Sequence, residues 1–236
     1  MLHDVQLDKI LFLDIETVSK KPNYNNLDQS EKELWDKKSQ FILKENQLPE
    51  DVYSQSAIYA EFGKIVCISV GFIAHHEELR IKSFFGDDEK QLLIEFAEML
   101  ILHYSGHGHL LCAHNGKEFD FPYICRRMLI NGLALPPILE IAGKKPWEIK
   151  HLDTMELWKF GDYKHYTALN LLAYIFNIPT PKDDIDGSQV GKVYWEDKDL
   201  SRIVTYCQKD VVTIAQLVMR YRGEDLIQED KIIYND

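Results

Sequence analysis

Two carboxylates stand at the end of the first apolar segment of the chain. Asp14 and Glu16 close the run KILFLDIE, and side chains at positions i and i+2 of a strand point to the same face. Carboxylates held side by side repel each other unless a cation or protons intervene, and hard divalent ions such as magnesium prefer oxygen ligands of this kind. The pair is therefore a candidate metal site, and a solvated strand end is the simpler alternative.

Another carboxylate follows a second apolar segment. Asp120 lies in HNGKEFDFPYI, after the short segment LLCA. We expect it in the first turn of a helix at the end of a strand, where α/β proteins tend to form their sites. The alternative interpretation is that Asp120 has no role in a site and stands there only because the helix macrodipole favours a negative charge at the start of a helix.

The third polar element is YCQKD near the end of the chain. Tyr206 and Asp210 are four residues apart on a predicted helix, so they share a face. They flank the apolar stripe of this helix, where core meets solvent. An ordinary boundary tyrosine beside a surface aspartate has the same pattern, so this element by itself does not indicate a site.

Other motifs carry less weight. His103, His107 and His109 have ligand-like spacing in HYSGHGH, but structural zinc sites usually add cysteine and none is close. A loop between a helix and a strand is the favoured interpretation. The sequence contains neither GxxxxGK[ST] nor GxGxxG, so nucleotide-binding loops of those types lack support.

Hydrophobic periodicity predicts the elements that must position these residues. Three early strands and a later alternation of helices with strands indicate a mixed α/β fold, in which an antiparallel meander leads into a parallel part. The predicted strands cover residues 9–16, 65–74, 79–85 and 110–113, with an edge strand in 149–155 and a turn at 75–78. The predicted helices cover residues 28–43, 87–104, 118–131, 167–176 and 198–222.

Length and composition favour one domain. The chain has 236 residues, of which 45% are hydrophobic and 28% charged, which excludes a disordered chain or a fibre. Residues 20–64 are predicted to be an insertion, because they contain too few apolar positions for a core of their own. The four cysteines form no CxxC pair, and no secretory signal or membrane span is evident. We expect reduced thiols and a cytoplasmic location.

The charge balance limits the possible partners. A net charge of -11 argues against a protein that coats nucleic acid through a basic surface, but it permits an enzyme that grips one strand end. Residues 117–164 carry 8 of the basic residues against 7 acidic ones, so an anion-binding face is expected there. Its candidate cations are Lys117, Arg126, Arg127 and Lys164.

In order and context, the three polar elements resemble the DEDD exonucleases of the ribonuclease-H-like superfamily. The matching motifs are LDIET at 13–17, HNG through FD at 114–120 with PY after it, and YxxxD at 206–210. Position 205 is Thr, where the histidine subclass would place its histidine, so the spacing points to the tyrosine subclass. The runs NGKEFDFPYI and LDTM make the proofreading exonuclease domain of family-B DNA polymerases the most similar group, over residues 10–217.

This resemblance implies a fold, an activity and a set of roles. The fold is a five-stranded mixed sheet flanked by helices. The activity is hydrolysis from the 3′ end with two divalent ions, Mg²⁺ or Mn²⁺. Asp14 would contact both ions, Glu16 and Asp210 would complete the site of the attacking water, and Asp120 would serve the second site. Tyr206 would orient the water. The substrate contacts expected from the same motifs are Thr17, Asn115 and Phe119.

Three functions remain open at this stage. The first is an exonuclease acting on the 3′ end of single-stranded DNA, with no membrane partner. The second is an RNA 3′ exonuclease similar to ribonuclease D, since a few pocket groups decide whether the 2′-hydroxyl is sensed. The third is a catalytically silent accessory module that binds nucleic acid, although the presence of all five motif residues argues against it.

Overall fold

A computed structural model describes residues 1–74, 78–162, 166–179 and 185–235 of the protein. These residues form a six-stranded sheet in the order β5-β4-β1-β2-β3-β6. The strands are β1 (Ile10–Ser19), β2 (Gly63–Ile73), β3 (Leu79–Phe85), β4 (Leu110–Ala113), β5 (Leu152–Asp153) and β6 (Ile232–Tyr234).

The mixed character of the sheet is confirmed. Strands β1, β2 and β3 form an antiparallel meander, while β4 runs parallel to β1 and β5 runs parallel to β4. The strand number is six rather than the expected five, because β6 adds in parallel to the outer edge of β3. β6 has only three residues, too few for a periodicity that sequence could detect. The predicted turn at 75–78 falls largely outside the described residues.

The five predicted helices are present with narrower bounds, and two further helices were not predicted. The helices are α1 (Gln29–Ser39), α2 (Glu89–His103), α3 (Asp120–Ile130), α4 (Thr154–Lys159), α5 (Leu169–Ile175), α6 (Val190–Lys192) and α7 (Leu200–Arg222). The unpredicted helices are α4 and α6, and α4 begins inside the stretch 149–155 that was expected to be an edge strand. Short 3₁₀ segments occupy Leu7–Lys9, Tyr24–Asn26, Pro49–Ile58, Pro137–Leu139, Pro146–Glu148 and Glu229–Lys231, and a π-helical turn occupies Val193–Asp197.

Two helix ends show how sequence sets these bounds. Helix α1 begins after Asp28, whose side chain accepts from the backbone N–H of Glu31 while the Glu31 side chain accepts from that of Asp28, a reciprocal cap. Helix α7 ends at Arg222, and the next residue, Gly223, adopts a φ of 76°. This left-handed conformation costs glycine little.

Different helices cover the two faces of the sheet. Leu11, Leu13 and Ile15 point to the side of α2 and α3, whereas Ile10 and Phe12 pack against α7 on the other side. The alternation follows from the period of two along a strand. It also places Asp14 and Glu16, which continue the Ile10 and Phe12 series, on the α7 side.

The segment 20–64 has a small core of its own, contrary to the expectation from sequence. Leu27, Trp35, Val52 and Tyr53 form a buried cluster, and the Trp35 indole donates to the carbonyl of Pro49 at 2.9 Å. Few apolar positions suffice because the aromatic rings are large and meet edge to face. The Trp35 and Tyr53 rings have centroids 5.6 Å apart.

A buried ion pair ties this segment to the sheet. Arg127 of α3 binds the carboxylate of Glu89 on α2 and donates to the carbonyl of Ala60 at 2.8 Å. Glu89 also accepts from the backbone N–H of Ile65 at 2.7 Å. Arg127 is only 7% exposed, so the expectation that it helps to bind an anionic strand is wrong: its guanidinium is occupied inside the fold.

The four cysteines are all buried and free of disulfide bonds, as expected for reduced thiols. Among the described residues, the helices are all too short or too polar to cross a membrane.

Candidate active site

The C-terminal half of β1 brings the first two carboxylates to the α7 side of the sheet. Asp14 is half-buried and Glu16 is buried. The β1–β2 register shifts between Glu16 and Thr17, which marks a β-bulge. Bulges bend a strand and redirect its side chains, and they are common beside active sites. Sequence offered no signal for this bulge.

Cys207 of α7 lies directly against these carboxylates. Its Sγ is 3.3 Å from Oδ2 of Asp14 and 3.4 Å from the Asp14 carbonyl. One potential ligand atom from each of Asp14, Glu16 and Cys207 lies within 4.8 Å of the other two. From the sequence, Cys207 is only one of four cysteines expected to be reduced thiols; its position next to Tyr206 was the available signal.

Asp120 is the first residue of α3, as its sequence context predicted. Its side chain is buried, and its Oδ1 has no hydrogen-bond partner within the described part of the chain. Burial raises the pKa of Asp120 to about 7, with further upward contributions from the charges of Asp153 and Asp210, while backbone N–H groups oppose the rise.

The four predicted carboxylates lie close enough to perturb one another. Burial raises the pKa of Asp14 well above its ordinary value, and the charges of Asp210, Glu16 and Asp120 add to the rise. Burial also raises the pKa of Glu16, followed by the charge of Asp210 and smaller contributions that include Asp120. Such mutual repulsion is costly unless cations or protons neutralise it.

The donor set fits a hard divalent cation. Carboxylate oxygens are the ligands that Mg²⁺ and Mn²⁺ prefer, and the unpartnered Oδ1 of Asp120 is an acceptor left without a donor. Within the described ranges, Asp14, Glu16 and Cys207 are the group whose spacing suits a metal ion. The histidines of the 103–109 segment form no such group there.

Tyr206 and the predicted substrate contacts lie on the chain segments that carry the carboxylates: β1, the loop before Asp120 and α7. Tyr206 is half-buried and packs beside the apolar cluster between α7 and the end of β1. The hydroxyl of Tyr123 donates to the carbonyl of Ala57 at 2.7 Å, and the Thr17 side chain is near enough to that hydroxyl to lower its pKa against the larger rise from burial. The ring of Phe119 meets that of Tyr123, with centroids 5.3 Å apart. Thr17 and Phe119 thus share one neighbour on α3.

The loop before Asp120 has a demanding backbone. Asn115 adopts a φ of 66°, a left-handed conformation that asparagine tolerates better than most residues. Gly116 lets the backbone of the loop lie close to the end of β4, because a Cβ at position 116 would lie 2.4 Å from the Cβ of Ala113. His114 holds the loop from the other side, with Nδ1 at 2.8 Å from Oγ1 of Thr154 and Nε2 at 2.8 Å from the Thr167 carbonyl.

Asp153 at the end of β5 organises this loop and was not predicted as a site residue. It is 3% exposed, and its carboxylate accepts from the backbone N–H groups of Asn115 and Lys117, each at 3.0 Å. It also caps α4 by accepting from Met155 and Glu156. The motif LDTM contains this residue, but a two-residue strand followed by a cap is not recognisable from periodicity.

Comparisons with known proteins assign the chain to a family. A family described as predicted 3′-5′ exonucleases related to the exonuclease domain of PolB matches residues 57–228. This chain belongs to that family. The matched range includes Asp120, Tyr206 and Asp210, and it begins after Asp14 and Glu16.

The fold is that of a polymerase exonuclease domain. The structure of the family B DNA polymerase from the hyperthermophilic archaeon Pyrobaculum calidifontis superimposes with a TM-score of 0.51 at 14% sequence identity. The similarity covers 90% of this chain and 24% of the polymerase chain, so this chain spans about a quarter of the length of that polymerase. No curated protein matches the sequence.

Proposed function

We propose that this protein is a 3′-5′ exonuclease that hydrolyses single-stranded DNA from its 3′ end with two divalent cations. The observation that carries the proposal is the cluster of acids at the end of β1: Asp14 and Glu16 lie beside Cys207 of α7, and the charges of Asp210 and Asp120 add to the rise that burial causes in the pKa values of both. Buried acids in that state need a cation to stay ionised near neutral pH.

Each motif residue has a part in the proposed reaction. Asp14, Glu16, Asp120 and Asp210 would hold the cations, as the oxygen donors of the cluster. When bound, two such ions lower the pKa of a water molecule and neutralise charge that develops on the phosphate. Tyr206 would orient the attacking water through its hydroxyl. Water adds at phosphorus, the bond to the 3′-oxygen breaks, and a nucleoside 5′-monophosphate leaves a strand shortened by one nucleotide.

Relationship to the exonuclease domain of PolB supports DNA as the substrate. A duplex end must unpair before its terminal phosphodiester can enter a recessed site, and unpairing costs least for a strand that is already single. Rates should therefore decrease from single strand to mismatched 3′ end to matched duplex.

The test measures nucleotide release from 3′-labelled and 5′-labelled oligonucleotides of each form. DNA and RNA of equal sequence are compared in magnesium, in manganese and in EDTA. Asp14→Asn and Asp210→Asn serve as inactive variants, because each removes a charged oxygen ligand while conserving shape.

The proposal is supported by stepwise release from the 3′ end of single-stranded DNA that requires metal. Faster hydrolysis of RNA would reassign the substrate to the ribonuclease-D-like alternative. Release from the 5′ end, or preference for matched duplex, would refute the polarity and the proofreading-like mechanism. Binding of the strand with no hydrolysis in either metal would favour the silent module.

A further inference from the structure

A cavity of about 390 Å³ opens beside the loop that precedes Asp120. Its walls are formed by the end of α4, by α5 and by described residues between these helices, through Trp158, Lys159, Asp162, Tyr166, Thr167 and Leu171. None of these residues has a role in the proposed hydrolysis.

Tyr166 is the most exposed aromatic group of this cavity. It is 70% exposed. Partial removal of the hydroxyl from water raises the pKa of Tyr166, and the charges of Asp120 and Asp153 contribute to the same rise. The phenol therefore lies within electrostatic range of the carboxylate cluster, while most of the ring stays open to solvent.

A direct contact joins the wall of the cavity to the second-motif loop, residues 114–119, which precedes Asp120. The Thr167 carbonyl, one residue after Tyr166, is 2.8 Å from Nε2 of His114, and His114 precedes Asn115 in the loop expected to contact the terminal nucleotide. Lys159 supplies a cation on the same wall, opposite in charge to a phosphate backbone.

We propose that this cavity binds the penultimate nucleotide of the substrate strand, with its base stacked on the ring of Tyr166. The inference rests on the proposed exonuclease function. An exposed aromatic ring, next in sequence to the Thr167 carbonyl that contacts His114 in the loop before Asp120, is the kind of platform that single-stranded nucleic acid uses, since every base has a π-face. The stacking needs the ring and not the hydroxyl.

The experiment separates stacking from general binding. Hydrolysis is prevented with EDTA, and 2-aminopurine is placed at the terminal, second or third position from the 3′ end of a single-stranded DNA oligonucleotide. Fluorescence reports stacking, and titration gives the affinity. The proteins compared are the wild type, Tyr166→Phe, Tyr166→Leu and the matched control Tyr174→Leu, whose tyrosine is 82% exposed and does not line the cavity.

We expect quenching at the second position in the wild type and Tyr166→Phe, with affinity about tenfold lower in Tyr166→Leu, within the range for loss of one stacked base. An abasic second nucleotide should remove this difference between the variants. The melting temperature checks that each variant is folded.

Equal affinity of Tyr166→Leu and the wild type would overturn the inference, and so would an undiminished loss on the abasic strand. Either result leaves the proposed function intact if the wild type still degrades DNA in magnesium. Absence of both binding and hydrolysis in the wild type would instead refute the proposed function itself.

Discussion

At the scale of single residues, a substitution at Tyr206 tests whether its hydroxyl acts in catalysis or its ring only packs. Tyr206→Phe removes only a hydroxyl from a half-buried ring, so the fold and cation binding should persist. If the hydroxyl orients the attacking water, kcat should fall on the order of 10²-fold, the scale of a positioned catalytic group. The check is kcat on single-stranded DNA together with the melting temperature. Unchanged turnover would reduce Tyr206 to a packing residue.

Asp120 provides a pH-dependent prediction at the same scale. Its pKa is about 7 in the metal-free fold against an ordinary value of 3.8, so the folded state holds a proton that the unfolded state releases. That contribution to stability is complete below pH 4 and is lost as the pH rises to 7. The loss relative to Asp120→Asn should reach up to about 4 kcal/mol.

Urea unfolding of both proteins in EDTA between pH 4 and 8 measures this difference. Subtracting the Asp120→Asn curve removes the titration of other groups, including the buried histidines His114 and His151, whose pKa values are lowered by burial. A stability difference that does not change with pH would show that Asp120 is already ionised in the metal-free protein.

At the scale of elements, Asp153 connects β5, α4 and the second-motif loop. Oδ1 accepts from Asn115, Met155 and Glu156, whereas Oδ2 accepts from Lys117. Asp153→Ala leaves several N–H groups without an acceptor, so unfolding free energy should fall by about 3 kcal/mol or more. Asp153→Asn keeps the Oδ1 bonds and should cost less.

A positioning role gives a readout that simple instability does not. Amide hydrogen exchange should accelerate selectively at residues 115–117 in Asp153→Asn, and KM should rise more than kcat falls, because the loop that meets the substrate is loosened. Uniform acceleration across the sheet would indicate a general structural role.

At the scale of the whole molecule, the carboxylate cluster couples metal binding to stability. A ligand that binds only the folded state stabilises it by about 2.7 kcal/mol at one hundred times its Kd, which for a chain of this size corresponds to roughly 5–10 °C. Magnesium or manganese should therefore raise the melting temperature, and Asp14→Asn should abolish most of the rise. No shift at millimolar metal would contradict the two-metal proposal.

The overall charge makes a second prediction at this scale. A chain with a net charge of -11 holds a strand through few cations, and Arg127 is committed to Glu89. The slope of log K against log salt should be shallow, about -1.5 to -3 for two to four phosphates of a single strand. A much steeper slope in binding titrations with EDTA would indicate an extended basic track instead.

The sequence by itself determined the elements and the chemistry of the candidate residues. Patterns with a period of two or 3.6 residues predicted β3 and β4 with their observed bounds, and also the long helix α7, which ends at Arg222. They could do so because an element that buries one face has apolar residues at a regular local spacing. Carboxylates at a strand end and a helix start, together with the YxxxD spacing and the resemblance to DEDD exonucleases, identified Asp14, Glu16, Asp120 and Asp210 as residues to test, without information on where they meet.

Only the tertiary structure decided which groups share a space. The contact of Cys207 with Asp14 spans 193 residues, and that of Asp153 with Asn115 spans 38, so no local pattern contains either. The bulge at Glu16, the burial of Arg127 and the cluster around Trp35 depend on the same long-range packing. Local propensity specifies elements, whereas sites form where elements distant in the chain pack together.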